Sequence, residues 1–108
     1  MSKNKFENFC NAECPVKGAL DVLNGKWTIM VLRDLLSGPK RFGELRKSLG
    51  GLNPNTLTSR LRHLEKNKIL SNKIYPQIPP KVEYKLTSKG LALQDVIQAL
   101  GDWGERWT

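Results

Sequence analysis

The chain has 108 residues and a formal net charge of +8. A chain of this length builds one hydrophobic core and leaves little material for an enclosed enzyme cleft. The basic excess favours an acidic partner such as nucleic acid or an anionic membrane, although a merely soluble basic protein would have the same composition.

The basic charge is concentrated in one third of the chain. Between Gly38 and Ile74 there are nine basic residues against two acidic ones, Glu44 and Glu65, so this segment carries +7 of the total +8. Charge confined to one segment is typical of a surface that binds an anionic polymer.

The beginning of the chain, MSKNKFENF, lacks the apolar core of a signal peptide. The longest aliphatic run, Ile29 to Leu32, is far shorter than a membrane span. Two cysteines without an export signal are typical of reduced thiols rather than a disulfide framework. We therefore expect a cytoplasmic protein with no membrane partner.

Residues 1–13 are expected to form a flexible polar segment that precedes one domain over residues 14–108. Pro15 suits the first position of a helix, and Asn24-Gly25 is a stop signal for that helix.

A second helix is predicted from about Lys26 to Leu36. It is apolar around most of its circumference, which is typical of a helix at the centre of a core. The sequence SGPK ends it, and a short third helix begins within RFGELRKSL.

The fourth helix has the clearest start. Asn53 is a good N-cap and Pro54 a good first residue, and both follow the turn GGL. Leu57, Leu61 and Leu64 recur at helical spacing and predict a buried stripe.

The period then changes from helical spacing to alternation. ILSNKIY and KVEYKL predict two strands, and PQIPP between them predicts a hairpin tip. Thr87 can cap a last helix that runs to Trp107. The predicted fold is mainly α, with five main helices and a two-stranded β-hairpin.

The fourth helix carries polar side chains opposite its leucines. A short helix, a glycine turn and a helix with outward Asn, Ser and Arg side chains are typical of a helix-turn-helix, in which such side chains contact base edges and phosphates. An amphipathic helix with a solvated polar face would have the same pattern. The candidate recognition residues are Asn53, Asn55, Thr56, Thr58, Ser59, Arg62, His63 and Lys66.

The predicted hairpin follows this helix directly, as the wing of a winged helix-turn-helix does. Basic residues on a wing contact phosphates or the minor groove, and the proline tip would hold Lys81 towards the DNA. Alternatively, the prolines only protect a strand edge from aggregation. The candidate backbone and wing contacts are Lys40, Arg41, Lys73, Lys81 and Lys85.

The last helix has more apolar circumference than a monomer of this size can cover. Exposed apolar surface on this scale usually marks an interface, here between two copies of the chain. The alternative is that Trp103 and Trp107 fold back on their own core. The candidate dimer residues are Val16, Leu20, Leu93, Val96, Ile97, Leu100, Trp103 and Trp107.

Three stretches taken together, CPVKGALDVLNGKWTIMVLRDLLSGPKRFGELRKSL, LTSRLRHLEKNKIL and YPQIPPKVEYKLTSKG, resemble the HxlR family of bacterial winged helix-turn-helix regulators. The resemblance runs from Cys14 to Trp103. It implies a MarR-like winged-helix fold, a symmetric dimer and binding to palindromic operator DNA, with repression the commoner outcome. It also implies that the fourth helix is the recognition helix and that Pro76 to Lys81 is the wing.

Cys14 precedes Pro15 at the start of the first helix, close to Lys17. The helix dipole and the cation would lower the pKa of its thiol and favour thiolate. Some members of the resembled family sense oxidants or electrophiles at such a Cys-Pro position, so Cys14 is a candidate redox sensor. An inert thiol is the alternative, and Cys10 is a conceivable disulfide partner.

No catalytic constellation and no cofactor motif is visible in the sequence. Two cysteines and one histidine, His63, leave a metal shell incomplete, so we expect neither a metal site nor an enzyme. A protein-interaction module remains the rival function, although such modules rarely concentrate positive charge in this way. An RNA-binding module would require exposed aromatic rings for base stacking. Here Trp27, Phe42 and Tyr84 fall on predicted buried faces, and Tyr75 is the only one expected to be exposed.

Overall fold

The computed structural model describes residues 15–108, so Cys10, Cys14 and the predicted N-terminal segment lie outside the described residues. The chain forms six helices and three strands over this range. In order they are α1 (Pro15–Val22), α2 (Lys26–Leu35), β1 (Lys40–Arg41), α3 (Phe42–Ser48), α4 (Pro54–Lys66), β2 (Leu70–Tyr75), β3 (Lys81–Leu86), α5 (Ser88–Leu91) and α6 (Gln94–Trp107).

The core is built around α2. Val31, Leu32 and Leu35 are buried, as the apolar circumference of this helix predicts. Thr28 is buried beside them, and its hydroxyl donates a hydrogen bond of 2.7 Å to the carbonyl of Asn24, which satisfies the polar group. Leucines of α3, its C-cap and α4 add Leu45, Leu49, Leu57, Leu61 and Leu64 to the core. Leu23, Ile69, Leu70 and Leu86 complete it.

Two glycines make the turn between α3 and α4. Gly50 and Gly51 have φ values of 75° and 78°, a left-handed conformation that favours glycine. Arg46 closes the turn by donating from Nε to the carbonyl of Leu52 at 2.8 Å. The Asn53 side chain then accepts from the backbone N–H of Asn55 at 2.8 Å, so the predicted N-cap is confirmed.

The hairpin of β2 and β3 is confirmed, but the predicted two-stranded sheet has a third strand. The strand order is β1-β3-β2, and both pairings are antiparallel. Lys40 and Arg41 pair with Tyr84 and Glu83 of β3. Two residues are too short for an alternating pattern, so the sequence carries no signal for β1.

The predicted last helix is interrupted at Ala92 and Leu93, which divides it into α5 and α6. Thr87 caps α5 as predicted, because its hydroxyl accepts from the N–H of Gly90 at 3.2 Å. Gly90 packs so closely against the residue before β2 that an added Cβ would lie 2.2 Å from the carbonyl oxygen of Ile69. Within residues 15–108 no helix is both long enough and apolar enough to cross a membrane.

Candidate nucleic-acid interface

The outer side of α4 carries polar and basic side chains, and the opposite side of the helix is a stripe of buried leucines. Asn55, Ser59, Arg62 and Lys66 are exposed, whereas Thr56 and Thr58 are half-buried at the flanks. The leucine stripe beneath them has at most 2% exposure, so the helix cannot rotate to bury its polar side without exposing the core.

The second half of α4 is held against the sheet. The Asn72 amide on β2 donates a hydrogen bond to the Glu65 carboxylate on α4. Tyr84 of β3 lies in the same region: burial raises the pKa of its phenol, the Glu65 carboxylate raises it further, and the Arg62 guanidinium lowers it. The helix and the hairpin therefore keep a defined relative position.

His63 does not lie with the exposed residues of α4. Its Nε2–H donates to the carbonyl of Val22 in α1 at 3.0 Å, and the ring is half-buried. The ring is turned towards α1, where it satisfies an orphan carbonyl at the end of that helix, and the DNA contact predicted for His63 stays a prediction.

The outer face of the hairpin carries a compact cluster around Tyr75. Lys73 and Lys81 each lie over the tyrosine ring, with Nζ 4.9 Å and 4.8 Å from its centroid. The Tyr75 hydroxyl donates to Glu83 at 3.2 Å, and Lys81 pairs with the same carboxylate at 3.7 Å. Both lysines are therefore held close to the sheet by cation–π contacts with the same Tyr75 ring.

Lys81 differs from the expectation of a free cation at the tip. Its side chain is only 25% exposed and has a carboxylate partner. Lys73 and Lys85 are exposed on the same face of the hairpin, and Arg41 is exposed on β1, whereas Lys40 is half-buried. We use the name α4–wing surface for two sets of exposed side chains: Asn55, Ser59, Arg62 and Lys66 on α4, and Arg41, Lys73 and Lys85 on the strands. The strand set lies on the face of the sheet opposite the one from which Asn72 and Tyr84 approach α4.

A second surface, on α1 and α6, is apolar. Six large side chains are 42% to 66% exposed, and we call them the α1–α6 face: Val16, Leu20, Val96, Leu100, Trp103 and Trp107. Leu93 and Ile97, which the sequence assigns to the same interface, instead pack partly against the chain's own core. The sequence does not distinguish Leu93 and Ile97 from the exposed apolar residues of α6, because all of them follow the same helical spacing.

Two basic residues near α4, Lys26 and Arg60, were not among the predicted DNA contacts. Arg60 of α4 reaches the α1–α2 turn, where Nη1 donates to the carbonyl of Asn24 at 3.3 Å, and Lys26 lies at the start of α2. Their juxtaposition spans 34 positions of sequence, and no local pattern signals it. Among residues 15–108 there is no group of three or more His, Cys, Asp or Glu side chains that could hold a metal ion.

Comparisons with known proteins are consistent with this arrangement. The family model described as HxlR-like helix-turn-helix matches residues 22–108. The uncharacterized HTH-type transcriptional regulator sll1512 of Synechocystis sp. is 45% identical over 94 residues, which cover 87% of this chain and 70% of that protein.

Two solved structures extend the comparison to the fold. A transcriptional regulator of the MarR family from Porphyromonas gingivalis superposes with a TM-score of 0.86 at 30% identity, covering 91% of this chain and 96% of that one. The redox regulator HypR in its oxidized form superposes with a TM-score of 0.83 at 39% identity, covering 88% of this chain and 98% of that one.

Proposed function

Because the chain belongs to the HxlR-like helix-turn-helix family and is a transcriptional regulator of HxlR and MarR type, we propose that it is a cytoplasmic homodimer that binds a palindromic operator and represses transcription. The winged-helix class predicted from sequence is confirmed by its structural neighbours. The curated relative from Synechocystis sp. is likewise described as an HTH-type transcriptional regulator.

The observation that carries the proposal is the α4–wing surface. Asn55, Ser59 and Arg62 project from one side of a capped helix whose other side is fully buried. Asn and Arg side chains at such positions make paired hydrogen bonds with adenine and guanine edges in the major groove. The basic cluster of the hairpin would lie against the neighbouring backbone and hold the helix in register.

The proposed dimer rests on the α1–α6 face. Large apolar side chains with this exposure on α1 and α6 are typical of an interface with another chain. Two-fold pairing through this face would present two α4 helices to successive major grooves, about 34–36 Å apart. A palindromic site follows from that symmetry, and occupancy of such a site near a promoter would exclude polymerase.

A selection from a randomised duplex library, followed by anisotropy titration of the selected duplex, tests the function. We expect salt-dependent binding that is at least about 10³-fold tighter than binding to a scrambled duplex of equal length. An inverted repeat among the selected sequences would support the dimer. Weak binding with no preference between the two duplexes would contradict the proposal and favour a protein-interaction module.

Oxidant control at Cys14 is a refinement of the same function, favoured by the similarity to a redox regulator. Cys14 lies outside the described residues, and Lys17, the cation expected to lower its pKa, pairs with Asp21 at 3.7 Å. We expect diamide to weaken operator binding by the wild-type protein and to leave a Cys14→Ser variant unchanged. Equal weakening of both proteins would assign the response to another group, and Cys10→Ser is the matched control.

A further inference from the structure

A cleft of about 330 Å³ lies between the start of α2 and the first half of α4. It is lined on one side by Gly25, Lys26 and Trp27. On the other side it is lined by α4 residues, two of which, Asn55 and Ser59, belong to the α4–wing surface. The lining contains two cations and no acidic residue, so it is suited to an anion.

Arg60 is the first cation of the cleft. Its guanidinium donates to the Asn24 carbonyl and to the Ser59 hydroxyl, each at 3.3 Å. Both distances exceed the usual range of about 2.7–3.2 Å, so the five donors of this group are only weakly engaged. The guanidinium lies against Gly25, where an added Cβ would be 3.3 Å from Nη1.

Lys26 is the second cation. Its ammonium lies 4.8 Å from the centroid of the half-buried Trp27 ring, which places the charge above an aromatic face. The ion pairs formed within residues 15–108 involve neither Lys26 nor Arg60. Both charges therefore face the cleft without a carboxylate from the described part of the chain.

We propose that this cleft clamps a backbone phosphate of the DNA strand beside α4, with Arg60 and Lys26 as its ligands. The proposal rests on the proposed function, because Asn55 and Ser59 line the cleft and also face the proposed major groove. A guanidinium fork and an ammonium fit the acceptor oxygens of a phosphodiester, and the Ser59 hydroxyl adds a donor. Such a contact fixes the register of α4 without reading sequence.

The test is a salt titration of duplex binding by fluorescence anisotropy, with both the selected and the scrambled duplex. The variant is Lys26→Gln with Arg60→Gln, and the control is Lys17→Gln with Arg106→Gln, which removes the same charge from α1 and α6. We expect the slope of log affinity against log salt to fall by about two per protomer in the variant, relative to the control. The affinity ratio between the two duplexes should not change.

The single variant Lys26→Gln tests the proposal even if the double variant fails to fold. The Lys26 side chain is exposed and its contact is with the Trp27 ring, so this variant should melt as the wild type does and lower the slope by about one per protomer. Circular dichroism melts verify that each variant is folded.

Two results would overturn the clamp. One is a slope in the double variant equal to that of the control. The other is a lower affinity ratio in Arg60→Gln, which would make Arg60 a base-reading residue. The slope comparison does not depend on whether the wild type prefers the selected duplex, so failure of the clamp and failure of the proposed function are separate outcomes.

Discussion

The α4–wing surface and the α1–α6 face are chemically opposite. The first exposes polar and basic side chains over fully buried leucines, whereas the second exposes large apolar side chains such as Trp103 and Trp107. Each surface is suited to a binding partner, but for a different physical reason. The first has exposed cations, such as Lys73 and Lys85, that form no ion pair within residues 15–108, and the second has apolar side chains that the same residues leave exposed.

The two surfaces also differ in how they are held. Two hydrogen bonds to other elements hold α4 in place, one from His63 to Val22 of α1 and one from Asn72 of β2 to Glu65. In contrast, α6 is attached mainly by apolar packing of residues such as Leu93 and Ile97. Recognition of base edges requires side chains at fixed positions, while an apolar interface requires mainly area and shape.

The largest expected effect is on the proposed dimer. Leu100→Asp with Trp103→Asp removes two exposed apolar side chains per protomer, each worth about 1.5–3 kcal/mol of burial, and each occurs twice in a symmetric dimer. We expect sedimentation velocity at micromolar concentration to show a monomer. Gln94→Glu, which adds charge to α6 without removing apolar area, is the control. A dimer that persists in the double variant would show that this face is not the interface.

Gly90 lies in α5, between the sheet and α6. Its substitution tests how much the close packing at this position contributes to the stability of the fold. In Gly90→Ala the new Cβ meets the Ile69 backbone, which cannot shift as a side chain can. We expect the free energy of unfolding to fall by about 3 kcal/mol, measured by urea denaturation. Gly43→Ala is the control, since a Cβ there meets no atom within 4 Å. Equal stability of the two variants would contradict the close approach.

Arg62→Ala should weaken operator binding by about 1–3 kcal/mol and relax selectivity at one base pair, because a base contact is lost. The same change should raise the pKa of Tyr84 further, since Arg62 lowers it. Anisotropy measures the first effect, and a spectrophotometric titration in a Tyr75→Phe background measures the second. If operator affinity does not change while the pKa of Tyr84 rises, Arg62 does not contact a base and acts only on Tyr84 of the sheet.

His63→Ala separates a structural contact from a DNA contact on the same helix. Loss of the bond to the Val22 carbonyl should cost about 1 kcal/mol of stability, and the salt slope of DNA binding should not change. Thermal melts and anisotropy titrations measure the two quantities. An unchanged melting temperature with a slope lowered by about one would restore the phosphate contact predicted from sequence.

The smallest effects are expected on the wing. Lys73→Ala should weaken binding to all sequences alike and lower the salt slope by about one, if this exposed lysine contacts phosphate. Lys81→Ala should change the slope less, because its ammonium is already paired with Glu83 and half-buried. A larger change for Lys81 than for Lys73 would mean that DNA displaces Glu83 and that the proline tip presents Lys81, as predicted from sequence.

Local patterns in the sequence by themselves determined much of this protein. The Asn53 cap, Pro54 and the leucine stripe defined α4, and strict alternation defined β3. These features depend on contacts between residues two to four positions apart, which a helix or strand period makes visible in the sequence. The concentration of basic charge likewise required no tertiary information.

Only the tertiary structure decided which charges and apolar groups are engaged. The bond from His63 to Val22 spans 41 positions, and that from Arg60 to Asn24 spans 36. Strand β1, the pairing of Lys81 and the inward packing of Ile97 also depend on neighbours brought together by packing. A local period places a side chain on one side of an element, whereas the packing of other elements determines whether that side meets solvent, core or a hydrogen-bond partner.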